Sequence, residues 1–414
     1  MFKKVDRNKP RAVLLGGGRS ALEVARCLGA EGVEVFTICA PGDVTVHSRF
    51  VTPIVFPNDG DYQALCNRWQ DYLLGPESDW LEGSVLLATG DAGILIINTN
   101  AETLGKKFIL DVAEPEAQLR MLYKHSTYEE AVKAGVPTPK FWIVRSEEEL
   151  NRQRSDFSYP VIIKPLLSHQ FENTYHAKHF RAANEGEVDE AFRRVLKDGI
   201  EVIVVERIPG RDDQLCSYDT YVNENGEPEF HYTKRMVRRF PAGMGSGVCQ
   251  QTAKDLQEVQ ELSLQLFKSA GVKGLLNTEY IRDHRDGTLK LIECNGRFTG
   301  VNRLLIDSGL NINLHVYNRL TGGPPVPLDD YRDGPMFWDP IGDLYAFRER
   351  RKTGELTLFT WLGTLRLPIV LPVFQWDDPV PSLIDSGRFL GRVVNKIWSA
   401  LGLPFRRSFR PRKT

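Results

Sequence analysis

Residues 289–298 read LKLIECNGRF and place Glu293 and Asn295 two positions apart at the end of an apolar run. Successive side chains of a β-strand point to opposite faces, so these two oxygen-bearing groups share a face. Upstream, residues 274–287 read GLLNTEYIRDHRDG, and their final turn residues predict a hairpin that brings Glu279 beside Glu293. Mg²⁺ takes oxygen ligands, commonly one or two carboxylates together with nucleotide phosphates. The stretch therefore predicts a metal–nucleotide site, and an ordinary hairpin with solvated acids is the alternative.

Two further apolar segments end in charged residues. Residues 159–165, YPVIIKP, predict a strand that ends in Lys164, and residues 202–210, VIVVERIPG, predict a strand that runs into Glu206 and a Pro-Gly turn. A lysine at the end of a buried strand can reach into a cleft as a point charge for phosphate. Lys124 opens a helical stretch that leads to a turn, AGVPTP.

In this order, the motifs resemble those of the ATP-grasp superfamily over roughly residues 124–323, and within it the carboxylate–amine ligases of the D-aspartate ligase type. The resemblance implies an α/β fold in which a doubly wound domain precedes a two-lobed nucleotide fold, with ATP between the lobes. One departure is that members usually have Asn-Pro-Arg where this chain has Asn295, Gly296 and Arg297. Glycine loosens the backbone there, which bears on how Arg297 is held.

The resemblance also assigns roles to the motif residues. Glu279, Glu293 and Asn295 would hold Mg²⁺ or Mn²⁺, and Arg297 and Lys164 would act as catalytic residues on the developing phosphoryl charge. The residues expected to contact ATP are Lys124, Lys164, Lys178, Glu206, Arg207, Ile208 and Asp213. In this set, the main chain at residues 206 and 208 would meet the adenine edge, and the last acid would bind the ribose hydroxyls.

The segment after the strand lysine departs from the family as well. Members carry a flexible, often glycine-rich loop at this position, whereas residues 166–180 contain no glycine. Ser168 and His169 are alternative donors to the phosphates.

The implied reaction joins a carboxylate to an amine through an acyl phosphate and releases ADP and phosphate. An ATP-grasp carboxylase or kinase, and a scaffold that has lost catalysis, remain alternatives. The small-molecule substrates are left open by the sequence, and so is pairing into a homodimer.

A cationic segment, residues 231–252, follows the predicted adenine strand. In a regular strand, Arg235 and Arg239 share one face, and Lys234 and Arg238 the other. Arginine binds carboxylate and phosphate bidentately, so we expect an anionic substrate that Arg235, Arg238 and Arg303 contact. The formal net charge of −1 and the few interleaved aromatic residues argue against nucleic acid as the partner.

Length and composition indicate a globular protein of several domains, since 42% of the 414 residues are hydrophobic and 26% are charged. We predict an N-terminal domain at residues 1–112. The nucleotide fold then spans 113–323, with its lobes at about 113–200 and 201–323, and a C-terminal extension spans 324–414.

The N-terminal domain begins as a doubly wound sheet. A strand at residues 12–15, the turn GGGRS, a helical pattern and a strand at 33–39 follow one another, and further strands are expected at 84–89 and 94–97. Asp91, between the last two, either contacts substrate or caps a turn. The glycine turn could instead hold a dinucleotide, which would indicate an NAD-dependent oxidoreductase, but it departs from GxGxxG and no acid ends the second strand.

The C-terminus and the cysteines bear on localisation. Residues 386–414 carry eight Lys or Arg and no acid, with apolar residues at helical spacing: Phe389, Val393, Val394, Ile397, Trp398 and Leu401. Such a helix either lies on an anionic membrane or docks on its own protein. Six scattered cysteines without a CxxC pair, no signal-peptide pattern and no spanning apolar run predict a cytoplasmic protein, with or without peripheral contact at the inner face of the membrane.

Overall fold

The computed structural model describes residues 4–58, 60–112, 114–166, 171, 175, 177 and 179–400, with side chains as far as residue 391. Its first sheet has five parallel strands in the order β3-β2-β1-β4-β5. These are β1 (Ala12–Leu15), β2 (Val35–Cys39), β3 (Thr52–Val55), β4 (Val85–Ala88) and β5 (Ile109–Leu110). The strand order reverses between β1 and β4, as in a doubly wound sheet. The predicted α/β fold class is confirmed.

Helices cover both faces of this sheet. They are α1 (Gly18–Ala30), α2 (Tyr62–Leu74), α3 (Asp91–Thr99) and α4 (Ala101–Leu104). The strand predicted at residues 94–97 is wrong, because these residues lie within α3. A short apolar run suits a buried helix as well as a buried strand, and here Ile94, Ile96 and Ile97 are all buried.

The second sheet is antiparallel and has four strands in the order β6-β9-β7-β8. Its strands are β6 (Phe141–Val144), β7 (Val161–Pro165), β8 (Phe180–Ala182) and β9 (Val202–Glu206). The β-branched residues of β7 and β9 favour strand structure and form the core with Val188 and Phe192 of a covering helix. The helices before and around this sheet are α5 (Pro115–Leu122), α6 (Lys124–Lys133), α7 (Glu147–Gln153) and α8 (Glu185–Lys197).

The third and largest sheet has seven strands in the order β14-β13-β10-β11-β12-β15-β16. They are β10 (Leu215–Val222), β11 (Tyr232–Phe240), β12 (Ser246–Thr252), β13 (Gly274–Arg282), β14 (Leu289–Asn295), β15 (Met336–Trp338) and β16 (Ile369–Val370). One face packs on α9 (Gln257–Ala270), where Tyr218, Tyr280 and Leu291 meet Val259 and Phe267. The apolar face of this helix is therefore core.

The remaining helices follow the large sheet along the chain. They are α10 (Asn302–Ser308), α11 (Ile312–Thr321), α12 (Pro340–Lys352), α13 (Leu358–Gly363) and α14 (Val380–Ala400). Short 3₁₀ turns lie at Val44–His47, Pro76–Leu81, Arg154–Asp156 and Asp212–Gln214. Among the described residues, no helix is both long enough and apolar enough to cross a membrane.

The C-terminal extension is integrated into the fold, since it supplies β15 and β16 to the large sheet. It also provides four carboxylates or guanidinium groups for ion pairs with earlier elements, namely Arg19–Asp339, Arg26–Asp378, Arg238–Asp343 and Arg350–Asp212. Asp343 is fully buried and accepts hydrogen bonds from Nε and Nη2 of Arg238 at 2.5 and 2.9 Å. The indole Nε1 atoms of Trp338 and Trp361 donate to it at 2.9 and 2.8 Å.

Loss of the Asp343 carboxylate should destabilise the protein strongly, because Arg238 would stay buried without its counter-charge. We expect Asp343→Ala to lower the free energy of unfolding by about 3–5 kcal/mol in urea denaturation. The control is Asp255→Ala, which removes an exposed pair with Arg235 and should cost less than about 1 kcal/mol. Equal losses in the two variants would contradict the assignment of Asp343 as a structural anchor.

A second prediction concerns Asp111, which follows β5 and accepts a hydrogen bond from Tyr221 Oη at 2.6 Å. Burial raises the pKa of Asp111 to about 6, from an ordinary 3.8. The folded protein then keeps a proton that the unfolded chain has lost, so this group's contribution to stability falls as pH rises through the window between those two values. As the pH rises from 3.8 to about 6, the melting temperature should therefore fall less in Asp111→Asn than in the parent. Parallel pH profiles would contradict the assignment.

Candidate functional site

A cleft of about 480 Å³ lies where the three sheets meet. Ile162, Lys164 and Val205 line it from the four-stranded sheet, and Tyr62 and Asp91 from the N-terminal domain. The large sheet lines it with residues of five strands, β10 to β14, among them Leu215, Met236, Arg239, Gln250, Glu279, Ile281, Ile292 and Glu293. Clefts between domains are common ligand sites, so this cavity is the candidate site.

Two rows of polar side chains cross the large sheet at the cleft. In the first polar row, Ser217 pairs with Lys234 on one side and with Glu279 on the other, and Glu279 pairs with Glu293. Residues that oppose each other directly in antiparallel strands share a face of the sheet, so all four side chains emerge on the same side. The predicted hairpin that brings Glu279 beside Glu293 is confirmed.

The second polar row is Asp219, Asn277 and Asn295, paired in that order across β10, β13 and β14. Asn277 Nδ2 donates to Asp219 Oδ1 at 2.9 Å, and Asn295 Nδ2 donates to Asn277 Oδ1 at 3.3 Å. Lys234 Nζ of the first row donates to Asp219 as well, and both are nearly fully buried. The hydrogen bonds orient the amide of Asn295.

A β-bulge in β14 allows this arrangement. Leu289, Leu291, Glu293 and Asn295 alternate in the sequence, so a regular strand would put them all on one face. The pairing shifts between Glu279 and Tyr280, opposite Ile292. The extra residue turns Leu291 into the core behind the sheet and leaves Glu293 in the cleft.

Glu279 and Glu293 form a like-charged pair. Burial and the adjacent Glu293 carboxylate raise the pKa of Glu279, while Lys234 and Arg239 oppose the shift. Two carboxylates that face each other favour a cation between them. Asn295 lines a small recess, and Glu293 lines both this recess and the cleft.

This donor set fits Mg²⁺. The described residues contain no cluster of three His, Cys, Asp or Glu side chains that could hold a metal. Two carboxylates and an amide oxygen, with the remaining ligands from phosphates and water, match how Mg²⁺ is bound with nucleotides. The residues that would hold it are Glu279, Glu293 and Asn295.

Two lysines approach this pair from different elements. Lys124 is the first residue of α6, and its Nζ lies 3.9 Å from Glu293 Oε1. Lys164 reaches the cleft from β7, where burial lowers its pKa and the Glu293 carboxylate opposes that shift. Both cations predicted from the sequence therefore come together beside Glu293.

Arg297 joins the cleft to the N-terminal domain. Its Nε donates to Asp91 Oδ1 at 2.6 Å, and Asp91 is the first residue of α3. A Cβ atom at Gly296 would meet only Leu276, at 4.0 Å, so the space beside residue 296 does not demand glycine. The contact with Asp91, rather than the residue before it, orients Arg297.

The predicted adenine segment lines the cleft with Glu206, Arg207 and Ile208. The Glu206 side chain is buried, and its oxygens accept from Lys140 N at 3.2 Å and from Arg285 Nη2 at 2.7 Å. The Glu206 carboxylate is therefore engaged within the protein, and the main-chain contact with adenine stays a prediction.

Asp213 is predicted to bind ribose, but it is not among the described residues that line the cleft. Its side chain is 42% exposed and pairs with Arg211 Nη2 at 3.1 Å. The buried Asp212 instead accepts from Arg239 N at 2.7 Å and from Gly243 N at 3.2 Å, and so holds the cleft wall. The two acids are adjacent in a 3₁₀ turn, whose successive side chains point in different directions, and the sequence does not distinguish them.

The three arginines predicted to contact substrate lie outside the cleft lining. Arg235 pairs with Asp255, Arg238 is buried against Asp343, and Arg303 pairs with Glu23 and Asp307. These expectations are corrected by the structure.

For Arg238, the physical reason is a second irregularity, in β11. Pairing between β11 and β12 shifts after Met236 and again after Arg238. The shift reverses the expected alternation, so Arg239 faces the cleft while Arg235 does not. Sequence analysis missed Arg239 as a site residue, because a bulge has no clear signature in a cationic strand.

Part of the predicted site lies outside the described residues. This applies to Lys178, Ser168 and His169. His179, just beyond, lines the cleft with Nε2 lying 3.0 Å from Met244 Sδ.

A backbone amide of the glycine turn after β1 is hydrogen-bonded to an aspartate. Asp43 Oδ2 accepts from Gly18 N at 2.8 Å, at the start of α1. A dinucleotide phosphate would need this amide and would meet the carboxylate's negative charge. The structure thus disfavours the NAD hypothesis.

Known proteins resemble the chain in both sequence and fold. No model of a protein family matches it. The D-aspartate ligase of Enterococcus faecium (strain Aus0004) is 28% identical over 325 residues, which cover 75% of this chain and 77% of that protein. A D-alanine–D-alanine ligase from Thermoanaerobacter sp. (strain X514) is 24% identical over 179 residues, or 39% of this chain and 47% of that protein.

Two solved structures share the fold. The L-amino acid ligase of Bacillus licheniformis superposes with a TM-score of 0.55 at 17% identity, over 75% of this chain and 74% of that one. The ADP complex of N5-carboxyaminoimidazole synthetase from Staphylococcus aureus gives 0.56 at 15% identity, over 79% and 80%. The strand lysine, the carboxylate pair on a hairpin and the preceding doubly wound domain of this chain follow the order that the sequence motifs predict. In sequence and in fold, the chain resembles proteins of the ATP-grasp superfamily.

Proposed function

We propose that this ATP-grasp protein is an ATP-dependent carboxylate–amine ligase that forms an amide through an acyl phosphate and releases ADP and phosphate. The similarity to D-aspartate ligase over three quarters of the chain supports this choice within the superfamily. Similarity to D-alanine–D-alanine ligase points to the same class of reaction.

The observation that carries the proposal is the composition of the cleft around Glu293. Glu293 faces Glu279 across the hairpin, Lys124 Nζ lies 3.9 Å from it, and Lys164 and Arg297 line the same cavity. Phosphoryl transfer needs charge neutralisation and positioning more than a nucleophilic side chain. The residues of this cleft would supply both, and the proposed reaction needs no Ser-His-Asp arrangement.

Each residue has a physical role in the proposed reaction. Mg²⁺ held by Glu279, Glu293 and Asn295 would neutralise the phosphates when bound. Lys124 and Lys164 would hold the nucleotide's phosphate oxygens by charge-assisted hydrogen bonds. The main chain of residues 206–208 would bind the adenine edge.

The substrate carboxylate would then attack the γ-phosphorus in line, and the bond to the ADP oxygen would break. Arg297, held by Asp91, would stabilise the acyl phosphate's charge from the side of the N-terminal domain. The amine would attack the acyl carbon and lose a proton, and the carbon–oxygen bond would break to release phosphate. Arg239 would provide a further cation for the anionic substrate or leaving phosphate.

ATP turnover in Mg²⁺ tests this function against a panel of carboxylic acids and amines. We expect free phosphate only with a matched acid and amine, and a rate at least roughly 10²-fold lower in Glu293→Gln, because the variant removes one of the two cation-binding carboxylates. The matched control is Glu258→Gln, an exposed acid on α9 that pairs with Arg282, and its rate should equal that of the parent.

Other products would contradict the ligase assignment in distinct ways. Pyrophosphate release would indicate an adenylate, and dependence on bicarbonate would indicate a carboxylase. Phosphate retained on the substrate would indicate a kinase. A protein that binds ATP but turns over no pair would point to a scaffold.

Lys164 provides a separate test of nucleotide binding. Lys164→Met removes a charged hydrogen-bond donor, so we expect the dissociation constant for a non-hydrolysable Mg–ATP analogue to rise roughly 10- to 10²-fold in calorimetric titration. Lys106→Met removes an exposed lysine of the N-terminal domain and should leave the constant unchanged. An unaltered affinity in Lys164→Met would exclude Lys164 from the phosphate site.

A further inference from the structure

Apolar surface is concentrated on the C-terminal extension. Among the described residues, ten of the sixteen exposed large hydrophobic side chains lie beyond residue 340. The most exposed of all are Phe359 at 86%, Leu367 at 84% and Trp376 at 88%. Isolated exposed side chains are ordinary, but such a concentration marks an interaction surface.

The first part of this surface is α13 and the segment after it. Residues 356–376, LTLFTWLGTLRLPIVLPVFQW, contain a single charged residue, Arg366. Trp361 is anchored inward by its hydrogen bond to Asp343, whereas Leu358, Phe359 and Leu362 are exposed on the same helix. The helix is therefore fixed to the protein by one side and presents the other to solvent.

The second part is α14, which leaves some of its apolar residues exposed. Leu383 and Leu390 lie two turns apart on one face, and they are 67% and 60% exposed. On the side that meets the protein, Arg388 Nη1 donates to Gly42 O at 2.7 Å, and the apolar Phe389 packs on Tyr345. A helix that only docked on its own protein would bury its apolar stripe, and α14 instead leaves part of that stripe outward.

These two parts are joined through α12. Phe347 of α12 stacks on Trp361 of α13 with ring centroids 4.6 Å apart. Tyr345 of the same helix lies 6.1 Å from Phe389 of α14. The exposed apolar residues of α13 and α14 thus flank one helix, whose own Leu344 and Tyr345 are also exposed.

Exposed cations lie on the same elements as the apolar residues. Arg351, Lys352, Arg366 and Arg388 are exposed. In the sequence, residues 386–414 add further Lys and Arg without any acid. Cations around an apolar patch complement an anionic lipid surface, in which the side chains enter the acyl boundary and the charges meet the headgroups. A second copy of the chain would bring the same cations together and repel them.

We propose that α13 and α14 dock this protein on an anionic lipid bilayer, with both helices lying in the interface. The proposal does not depend on the reaction catalysed, and it places the cleft beside a membrane surface. The α12 helix connects the two regions, because Glu349 Oε2 accepts from Ala242 N at 2.9 Å and Arg350 Nη1 donates to Arg239 O at 3.1 Å in the cleft wall.

Vesicle flotation of the full chain tests the proposal without ATP or substrates. We expect binding to phosphatidylcholine–phosphatidylglycerol vesicles, weak binding to pure phosphatidylcholine vesicles, and loss of the difference at about 1 M salt, where charges are screened within about 3 Å. Phe359→Ser combined with Leu367→Ser should lower the partition coefficient at least roughly 10-fold, since two large apolar side chains are lost. Val132→Ser combined with Leu196→Ser removes exposed apolar residues elsewhere and should change nothing.

Three results would overturn the proposal. They are no binding to anionic vesicles, equal binding of the Phe359/Leu367 variant and the parent, and a dimer in light scattering that the same variant converts to monomer without any vesicle binding. The last result would assign the surface to a second copy of the chain. Melting temperatures of the variants should match the parent's, because the substituted side chains are exposed.

Discussion

The placement of Glu279 directly opposite Glu293 is the constraint around which the cleft is arranged. Two carboxylates on adjacent strands repel each other, and burial adds to the cost of charging both. The cations that offset this repulsion come from separate elements: Lys124 from a helix, Lys164 from the four-stranded sheet, and Lys234 and Arg239 from a neighbouring strand. The site therefore exists only when these elements are packed together, and a bound metal and nucleotide would complete the charge balance.

The ends of the chain take part in that packing. Asp91 of the N-terminal domain holds Arg297 by an ion pair at the start of a helix, and Tyr62 of the same domain also lines the cleft. From the other end, α12 holds the wall that contains Arg239, and Asp343 secures the same region by four hydrogen bonds. The C-terminal extension thus belongs to the large sheet and also contains the exposed apolar surface. Hydrogen bonds from α12 link that surface to the cleft wall.

Much of the candidate site was predictable because its residues lie on regular elements with clear periodicity. The hairpin at residues 274–295 and the strand that ends in Lys164 follow from apolar runs bounded by turn residues, and the structure contains both. The failures have local causes. Residues 94–97 form a helix because a short apolar run fits either structure. Arg238 rather than Arg239 was expected to contact substrate because the register shifts of β11 after Met236 have no signature in the sequence. Asp212 and Asp213 differ only in the direction that a 3₁₀ turn gives them.

Local sequence was sufficient to predict the carboxylate pair, since strand period and turn chemistry act over a few residues. The resemblance of the motif order to the ATP-grasp superfamily added the two lysines. Local sequence could not specify Arg239, the Arg297–Asp91 contact or the burial of Asp343. Those depend on bulges that reverse side-chain direction and on contacts between residues more than a hundred positions apart, such as Arg238 with Asp343 and Arg297 with Asp91. Likewise, the basic amphipathic pattern of α14 was visible in the sequence. Only the tertiary contacts with Tyr345 and Gly42 show which face of the helix meets the protein.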